Sequence, residues 1–336
     1  MTDMQWALVA GTLLTTALLT GVATRYSRYA GLIDTPGVRR SHETSIPRGG
    51  GIAPIMCLLA ALLVCRQFNW IDLPLVLTWI APILMLAAVG WWDDHSSLSA
   101  KFRIFIQIFA VVTALTSFSY SYDLAVSTAL MLLFAALWLL NLFNFMDGSH
   151  GLAAGQGVFA GAVFAGLLHH AGEGGAALAA LLIAAVCLGF LPWNFPKPRI
   201  FMGDVGSAPL GLALAILAIW GFLSGSLAPA VIILVLSTFI IDASLTLLNR
   251  MYRRQQWYTA HTEHAYQRLI AMECGHTETF LLYQSVNVVV VLPGVVWMRY
   301  SEGFQWTIAG TIMIAQALAW LWVYRRSLLT QEKEKT

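Results

Sequence analysis

Five aspartates stand at the edges of long apolar runs, where a charged side chain needs a purpose. Asp93 and Asp94 close one run in GWWDDHSSLSAKFR, Asp147 closes another in NLFNFMDGSHG, Asp204 opens a third in FMGDVGSAPLG, and Asp34 leads a polar loop in GLIDTPGVRRSH. Adjacent carboxylates repel each other unless a cation or a basic group sits between them. A lone Asp-Asp pair is better explained as a solvated helix end. Three Asp-bearing helix ends on one side can instead assemble an oxygen site for Mg²⁺, which keeps several waters and takes one or two carboxylates together with substrate phosphates. Asn141, Asn144 and Asp147 are spaced by three, so on a helix they share one face, away from Leu140, Leu142, Phe143 and Phe145. Asparagine is costly against lipid, so that face should look into a polar cleft, with Gly148 and Gly151 ending the helix. Asp204 lies between Gly203 and Gly206, with Ser207 placed as an N-cap and Pro209 in the first turn. Backbone N–H groups at such a start favour an anionic ligand.

Basic groups accompany the acids. Arg39, Arg40, His42 and Arg48 precede Gly49-Gly50-Gly51 and form a phosphate-binding set, with some of them available to lipid headgroups. Lys101 and Arg103 follow the Asp pair and could counter a phosphate there. In YTAHTEHAYQRL, His261, His264 and Arg268 would make one basic stripe on a helix. Two histidines so spaced could hold Zn²⁺, but no third ligand accompanies them, and contact with a diphosphate suits them better. His169 and His170 read as interfacial residues. Asp242, inside a later apolar run, is either a buried polar contact or a pathway residue.

The elements that must position these groups are membrane helices. Hydrophobic residues make up 58% of the 336 residues and charged ones 11%, far below the roughly 25% of an average soluble domain. Eleven apolar runs can be marked, roughly 5–24, 50–65, 73–90, 104–118, 125–141, 152–168, 176–191, 208–221, 228–248, 279–297 and 306–324. The fourth and eighth are short for a span of about 20 residues, so ten to twelve crossings are expected in an all-α polytopic bundle, one membrane domain over 1–336. The first run carries Arg25 and Arg28 after it and Asp3 before it, the reverse of a cleavable signal peptide. Cys57, Cys65, Cys187 and Cys274 have no paired spacing and read as small core residues. With eleven spans, loops after odd-numbered runs and the C-terminal tail hold 17 of the 19 Lys and Arg residues, which places that side in the cytoplasm and the N-terminus outside. Every acidic motif above falls on that side. An ionisable group at mid-bilayer costs about 2.5–3.5 kcal/mol on insertion scales, so this one-sided placement at the boundary argues for an enzyme handling a soluble substrate. A secondary transporter is the alternative, but such folds put their binding groups at the midplane, often in repeated halves, and no repeat is visible. Nothing in the charge pattern calls for nucleic acid.

Four stretches, IDTPGVRRSHETSIPRGGG, GWWDDHSSLSAKFRIFIQ, NLFNFMDGSHGLAAG and FMGDVGSAPLG, occur in an order that closely resembles the polyprenyl-phosphate N-acetylhexosamine-1-phosphate transferases. That family includes the peptidoglycan translocase and the enzymes that start O-antigen and enterobacterial common antigen chains. The resemblance spans residues about 32 to 270 and implies ten or eleven spans in the bacterial inner membrane with a cytoplasmic Mg²⁺ site, Mn²⁺ being a substitute. It implies catalytic roles for Asp93, Asp94 and Asp204, with Asp204 the principal metal ligand and Asp94 beside it. Asn141, Asn144, Asp147 and Asn194 would lie near the nucleotide, Phe201 would stack on uracil, and His261, His264 and Arg268 would reach the donor. Asp34, Arg39, Arg40, His42, Arg48 and Lys101 would surround the lipid phosphate. His150 stands where the family often has a second acid in DGxDG, which removes one nucleotide contact or tunes the sugar pocket. HTEHAYQRL looks most like the O-antigen-initiating branch. The implied partners are undecaprenyl phosphate, a UDP-N-acetyl sugar and the bilayer; a homodimer is left open. The implied reaction is attack by a lipid phosphate oxygen on the β-phosphorus of the UDP-sugar, releasing UMP.

Overall fold

A computed structural model describes residues 1–34, 45–119, 121–256, 261–272 and 274–333. Its elements run α1 (Asp3–Tyr29), β1 (Ile33–Asp34), β2 (Ile46–Pro47), α2 (Ile52–Gln67), α3 (Leu73–His95), α4 (Ala100–Ser119), α5 (Val126–Met146), α6 (Leu152–His170), α7 (Gly174–Asn194) and α8 (Asp204–Leu223). They continue through α9 (Pro229–Val235), α10 (Ser237–Tyr252), α11 (Ala265–Ala271), α12 (His276–Val286), a π-turn (Asn287–Val291), α13 (Leu292–Met298) and α14 (Gln305–Lys333). Nine helical stretches among the described residues are long and apolar enough to cross a membrane, and α9 with α10 forms one further, bent candidate. The chain is a multi-pass all-α membrane protein.

Every apolar run marked in the sequence falls on helix, but the lengths differ. The fourth and eighth runs, read as short, become the 20-residue α4 and α8 because their polar flanks, Ala100–Arg103 and Asp204–Ser207, wind into the helix. The short helix is α2, 16 residues. The ninth run bends by 78° at Leu236. The break frees the Val235 carbonyl, and Gln156 Nε2 donates to it at 3.1 Å. Thr238 Oγ1 and Asn287 Nδ2 donate in turn to Gln156 Oε1 at 3.2 and 2.8 Å, so the freed carbonyl and the amides around it are paired internally, while the buried Ser237 hydroxyl beside the break has no partner. The tenth run carries its π-turn just ahead of Pro293, whose missing N–H an unbroken α-helix would register as a lost bond.

The centre of the bundle is α8, buried along most of its length and packed against α2, α3, α5, α6 and α7. Close approach depends on glycine. A Cβ on Gly90 of α3 would overlap the Asp204 carbonyl, one on Gly51 would overlap the Gly206 backbone, and one on Gly211 would press on Leu140 of α5. The first polar loop docks on the strand-like stretch before α8: Phe201 N–H donates to the Pro47 carbonyl at 2.8 Å, and Gly50 and Gly51 N–H donate to the Phe201 and Met202 carbonyls at 2.9 and 2.8 Å. Along α1, Thr12, Thr16, Thr20 and Thr24 form a buried ridge towards α7, and the hydroxyls of the last three bond back to the carbonyls four residues earlier.

Gly90→Ala should therefore lower stability in detergent by about 1–3 kcal/mol through overpacking, whereas Gly166→Ala, with open space around its Cβ, should be neutral or stabilise by up to about 1 kcal/mol. Matched thermal melts check the pair; equal melting for both variants would mean that α3 and α8 do not rely on this contact.

Candidate functional site

Four carboxylates meet at one end of the bundle. Asp93 and Asp94 end α3, Asp147 follows α5, and Asp204 begins α8, the helix packed between the other two. One guanidinium nitrogen, Arg103 Nη1, lies 3.2 Å from Asp93 Oδ2 and 2.9 Å from Asp204 Oδ2. Asp93 Oδ1 also accepts from the Leu98 N–H at 2.6 Å. Asp94 is 3% exposed and turned the other way. Its oxygens accept from the Asp204 and Val205 N–H groups at 3.4 and 3.3 Å, so it caps α8 from outside, where Gly203 has no side chain to do so. Gly203 adopts φ +73°, and a Cβ there would collide with the Asp94 carboxylate. Arg48 Nη2 donates to the Asp94 backbone carbonyl, fastening the first loop to the end of α3.

Asp147 accepts from the Gly203 N–H, and burial, followed by the nearby Asp204 and Asp94, pushes its pKa well above the usual carboxylate range. On the same face Asn144 Oδ1 accepts from Ser207 Oγ at 2.8 Å, while Asn141 Nδ2 donates to Gln107 of α4 at 3.0 Å. The polar face of α5 is thus turned to neighbouring helices rather than lipid, and Ser207 spans α8 and α5 instead of acting as the N-cap. Beyond Asp147, the His150 ring lies 3.7 Å from His276 of α12 at 7° and 6.3 Å from Phe201. His276 Nδ1 is 3.1 Å from Ser149 Oγ.

Hard oxygen donors crowded around a single bridging cation suit Mg²⁺ by chemistry. Among the described residues no three His, Cys, Asp or Glu side chains converge as a metal cage, so a Mg²⁺ ion here would draw its other ligands from water and substrate phosphates, its usual habit. The geometry pairs Asp204 with Asp93 across Arg103, while Asp94, the expected neighbour of Asp204 at a metal, reaches it through the backbone N–H groups of Asp204 and Val205.

Residues 76–222 match the family model described as glycosyl transferase family 4. The chain is thus similar to glycosyl transferase family 4 over somewhat less than half of its length. It is similar to the probable undecaprenyl-phosphate N-acetylglucosaminyl 1-phosphate transferase of Bacillus subtilis, 28% identical over 85% of this chain and 84% of the relative. The decaprenyl-phosphate N-acetylglucosaminephosphotransferase of Mycobacterium tuberculosis is 28% identical over 82% and 79%. The phospho-N-acetylmuramoyl-pentapeptide-transferase of Synechococcus sp. is 29% identical over 85% and 91%. The matched family 4 stretch includes all four converging aspartates, with Asn141, Asn144, His150, Asn194 and Phe201.

Other expected site residues are placed differently. Asn194 is 2% exposed, and both ends of its amide are used internally: Oδ1 accepts from the Gly151 N–H at 2.7 Å and Nδ2 donates to the Ile200 carbonyl at 2.9 Å. It holds the turn that carries His150 to the stretch that carries Phe201. The basic stripe does not form, because α11 begins only at Ala265. Arg268 points to α14, donating to Ser327 Oγ at 2.8 Å and lying over the Tyr324 ring. His264 is buried against Phe145 and Tyr266. Burial, then Arg250 and Arg268, depresses its pKa to about 3, so its 3.8 Å approach to Asp242 is not an ion pair. Burial likewise depresses His261 to about 4, with His264 and Arg250 adding to it. Lys101 is exposed, and Arg103, two residues further along α4, meets the carboxylates. Asp34 pairs in β1 with Ile46 of β2. Arg39, Arg40 and His42 lie outside the described residues.

Sequence reasoning left Asp242 open, and the structure makes it a cap: its oxygens accept from the Ala265 and Tyr266 N–H groups at 2.6 and 3.2 Å and from the Tyr283 hydroxyl at 2.5 Å. Tyr266 then donates to the Phe145 carbonyl at 3.1 Å, and only the absence of a side chain at Gly148 leaves room for its hydroxyl. These residues carry no local signal, being joined from segments more than 20 residues apart.

Asn194→Ala should orphan one buried donor and one buried acceptor and lower stability by about 1–3 kcal/mol, read as a drop in melting temperature larger than that of Lys101→Ala. The depressed His264 gives a pH prediction. Between about 3 and 6.5 the unfolded chain binds more protons at this residue than the folded one, so stability climbs with pH across that window and levels off above it. Melts between about pH 4 and 7 should show a shallower slope for His264→Gln than for the unaltered protein; the same slope in both would contradict a neutral, buried ring.

Proposed function

We propose that this chain transfers an N-acetylhexosamine 1-phosphate from a UDP-sugar to a polyprenyl phosphate, undecaprenyl phosphate in the first instance, releasing UMP. The observation that carries the reading is the convergence of Asp93, Asp94, Asp147 and Asp204 at one end of the bundle, with Asp93 and Asp204 bridged by one guanidinium. The relatives' names support the reaction class: they pair a polyprenyl phosphate with an N-acetylglucosamine phosphate transfer.

In the proposed step an acceptor phosphate oxygen forms a bond to the β-phosphorus, and the bond from that phosphorus to the bridging oxygen breaks, leaving that oxygen with UMP. Both substrates are anionic and repel each other, so positioning and charge neutralisation are the main tasks. Asp93 and Asp204 would hold Mg²⁺, or Mn²⁺ in its place, and the ion would supply neutralisation of the diphosphate. Asp94 keeps the start of α8 in place, which orients Asp204. Arg103 can exchange a carboxylate for a phosphate oxygen, and Arg48 lies within reach of the same end of α3. Phe201 and His150 offer ring faces for a planar base. One membrane domain suffices, with this face cytoplasmic as the distribution of basic residues implies, and initiation of an O-antigen or similar envelope polysaccharide is the role that HTEHAYQRL favours. A transporter would place its charges at the bend of α9 and α10, yet Gln156, Thr238 and Asn287 there are neutral.

Detergent-purified protein given undecaprenyl phosphate, Mg²⁺ and a panel of UDP-N-acetyl sugars should release UMP only when lipid is present, and EDTA should abolish the release. Asp93→Asn and Asp204→Asn should each lower kcat by about 10²–10³-fold, the range seen when one electrostatic stabiliser is removed. Folded protein that releases no UMP from any donor would refute the transferase reading.

A further inference from the structure

The bridge between Asp93 and Asp204 is built in a form that a purely structural ion pair would not favour. Arg103 Nη1 donates to Asp93 Oδ2 at 3.2 Å and to Asp204 Oδ2 at 2.9 Å, so carboxylates from α3 and α8 share a single nitrogen supplied by α4. A guanidinium meets a carboxylate most strongly through two nitrogens at once. Here one nitrogen serves two acids, as a point cation would. The charges are also unequal: one positive group faces two negative ones, and a divalent cation would balance them. All three side chains reach water, Arg103 being 35% exposed, Asp93 15% and Asp204 27%. Partly exposed ion pairs are individually weak, so this bridge can open at small cost.

The frame around the bridge does not depend on the guanidinium. Asp93 Oδ1 is held by the Leu98 N–H at 2.6 Å. The first turn of α4 is fixed by its own backbone, with the Phe102 and Arg103 N–H groups donating to the Ser99 carbonyl at 3.0 and 3.1 Å. The Phe102 ring also stands edge-on to Trp92 of α3, at 6.1 Å and 73°. The start of α8 is held by Asp94. The Arg103 side chain can therefore turn away while Asp93 and Asp204 keep their places. We propose that Arg103 is a displaceable stand-in for the divalent cation: it bridges Asp93 and Asp204 until it gives them up to Mg²⁺, and it is then free to face the anions that arrive with the ion. The inference rests on the metal-dependent reading given above and adds a competition to it. Removing Arg103 should tighten metal binding, the reverse of what the loss of a structural ion pair would do.

The test uses the full chain in detergent, with melting temperature followed against MgCl₂ at constant ionic strength and with neither nucleotide nor lipid added. Mg²⁺ should raise the melting temperature saturably. Arg103→Met should melt lower without Mg²⁺ yet reach its half-maximal shift at about tenfold less Mg²⁺ or lower, since a charge-assisted hydrogen bond no longer has to be broken. Arg103→Lys keeps a cation at the bridge and should need as much Mg²⁺ as the unaltered protein. Lys101→Gln removes the same charge from an exposed position on the same turn and should move the midpoint by less than about twofold, because solvent screens it. A second measurement needs no variant: labelling of Arg103 by phenylglyoxal, followed by peptide mass spectrometry on the unaltered protein, should rise saturably with Mg²⁺ as the guanidinium is released. Equal midpoints for the unaltered protein and Arg103→Met, weaker binding in Arg103→Met, an equal tightening in Lys101→Gln, no response to Mg²⁺ in any variant, or labelling that ignores Mg²⁺ would overturn the exchange. Lipid-dependent UMP release alongside any of those results would leave the transferase reading standing. Tighter Mg²⁺ binding by Arg103→Met with no UMP from any donor would do the opposite, keeping the exchange and refuting the transferase.

Discussion

Four carboxylates can share one small volume at the end of a membrane bundle only if positive charge and backbone N–H groups are aimed at them from several directions, and much of this structure serves that requirement. Arg103 bridges Asp93 and Asp204 through one nitrogen. The first N–H groups of α8 bond to Asp94, and the Gly203 N–H serves Asp147. Each donor comes from a different place in the chain from its acceptor, so the cluster cannot exist before the helices have packed. Burial first, and then the neighbouring Asp204 and Asp94, raises the pKa of Asp147 well above the usual carboxylate range.

Holding α8 close enough to deliver those N–H groups demands backbone contact on two sides. Gly90 lets α3 lie against the start of α8, and Gly51 meets Gly206 where α2 begins. The bonds from the 47–51 stretch to 201–202 then set the height of the first polar loop against Phe201. A single added methyl at these crossings would move Asp204 relative to Asp94, so packing and electrostatics are one constraint seen from two sides.

The C-terminal third closes the site from the other direction. Asp242 seats α11, Tyr266 ties α11 to the end of α5, and His276 lies flat on His150. Arg268, Glu263 and Ser327 fasten the same short helix to α14. An element of seven residues is thereby held at three points.

Much of this was legible in the residues themselves. Apolar runs are local, so the spans and the one-sided placement of the acids could be read directly, and the ordered motifs around Asp93, Asp147 and Asp204 pointed to the family. Partners across the bundle were not legible. That Arg103 rather than Lys101 meets the acids follows from which face of α4 turns inward. That Asp94 caps α8 while Asp93 takes the guanidinium follows from α3 ending where two adjacent side chains diverge. Asn194 reads as a polar group near a motif, and only its burial shows that both ends of its amide are spent on backbone. The stripe of His261, His264 and Arg268 needed a helix that the chain does not start until Ala265, because Asp242, some 20 residues earlier, holds the first N–H groups of that helix. The amino-acid sequence by itself determined that this is a membrane bundle with acids gathered at one face, since hydropathy and residue type act locally. Which acid faces which cation was decided by tertiary structure alone, because those distances are set by helix crossings between segments far apart in the chain.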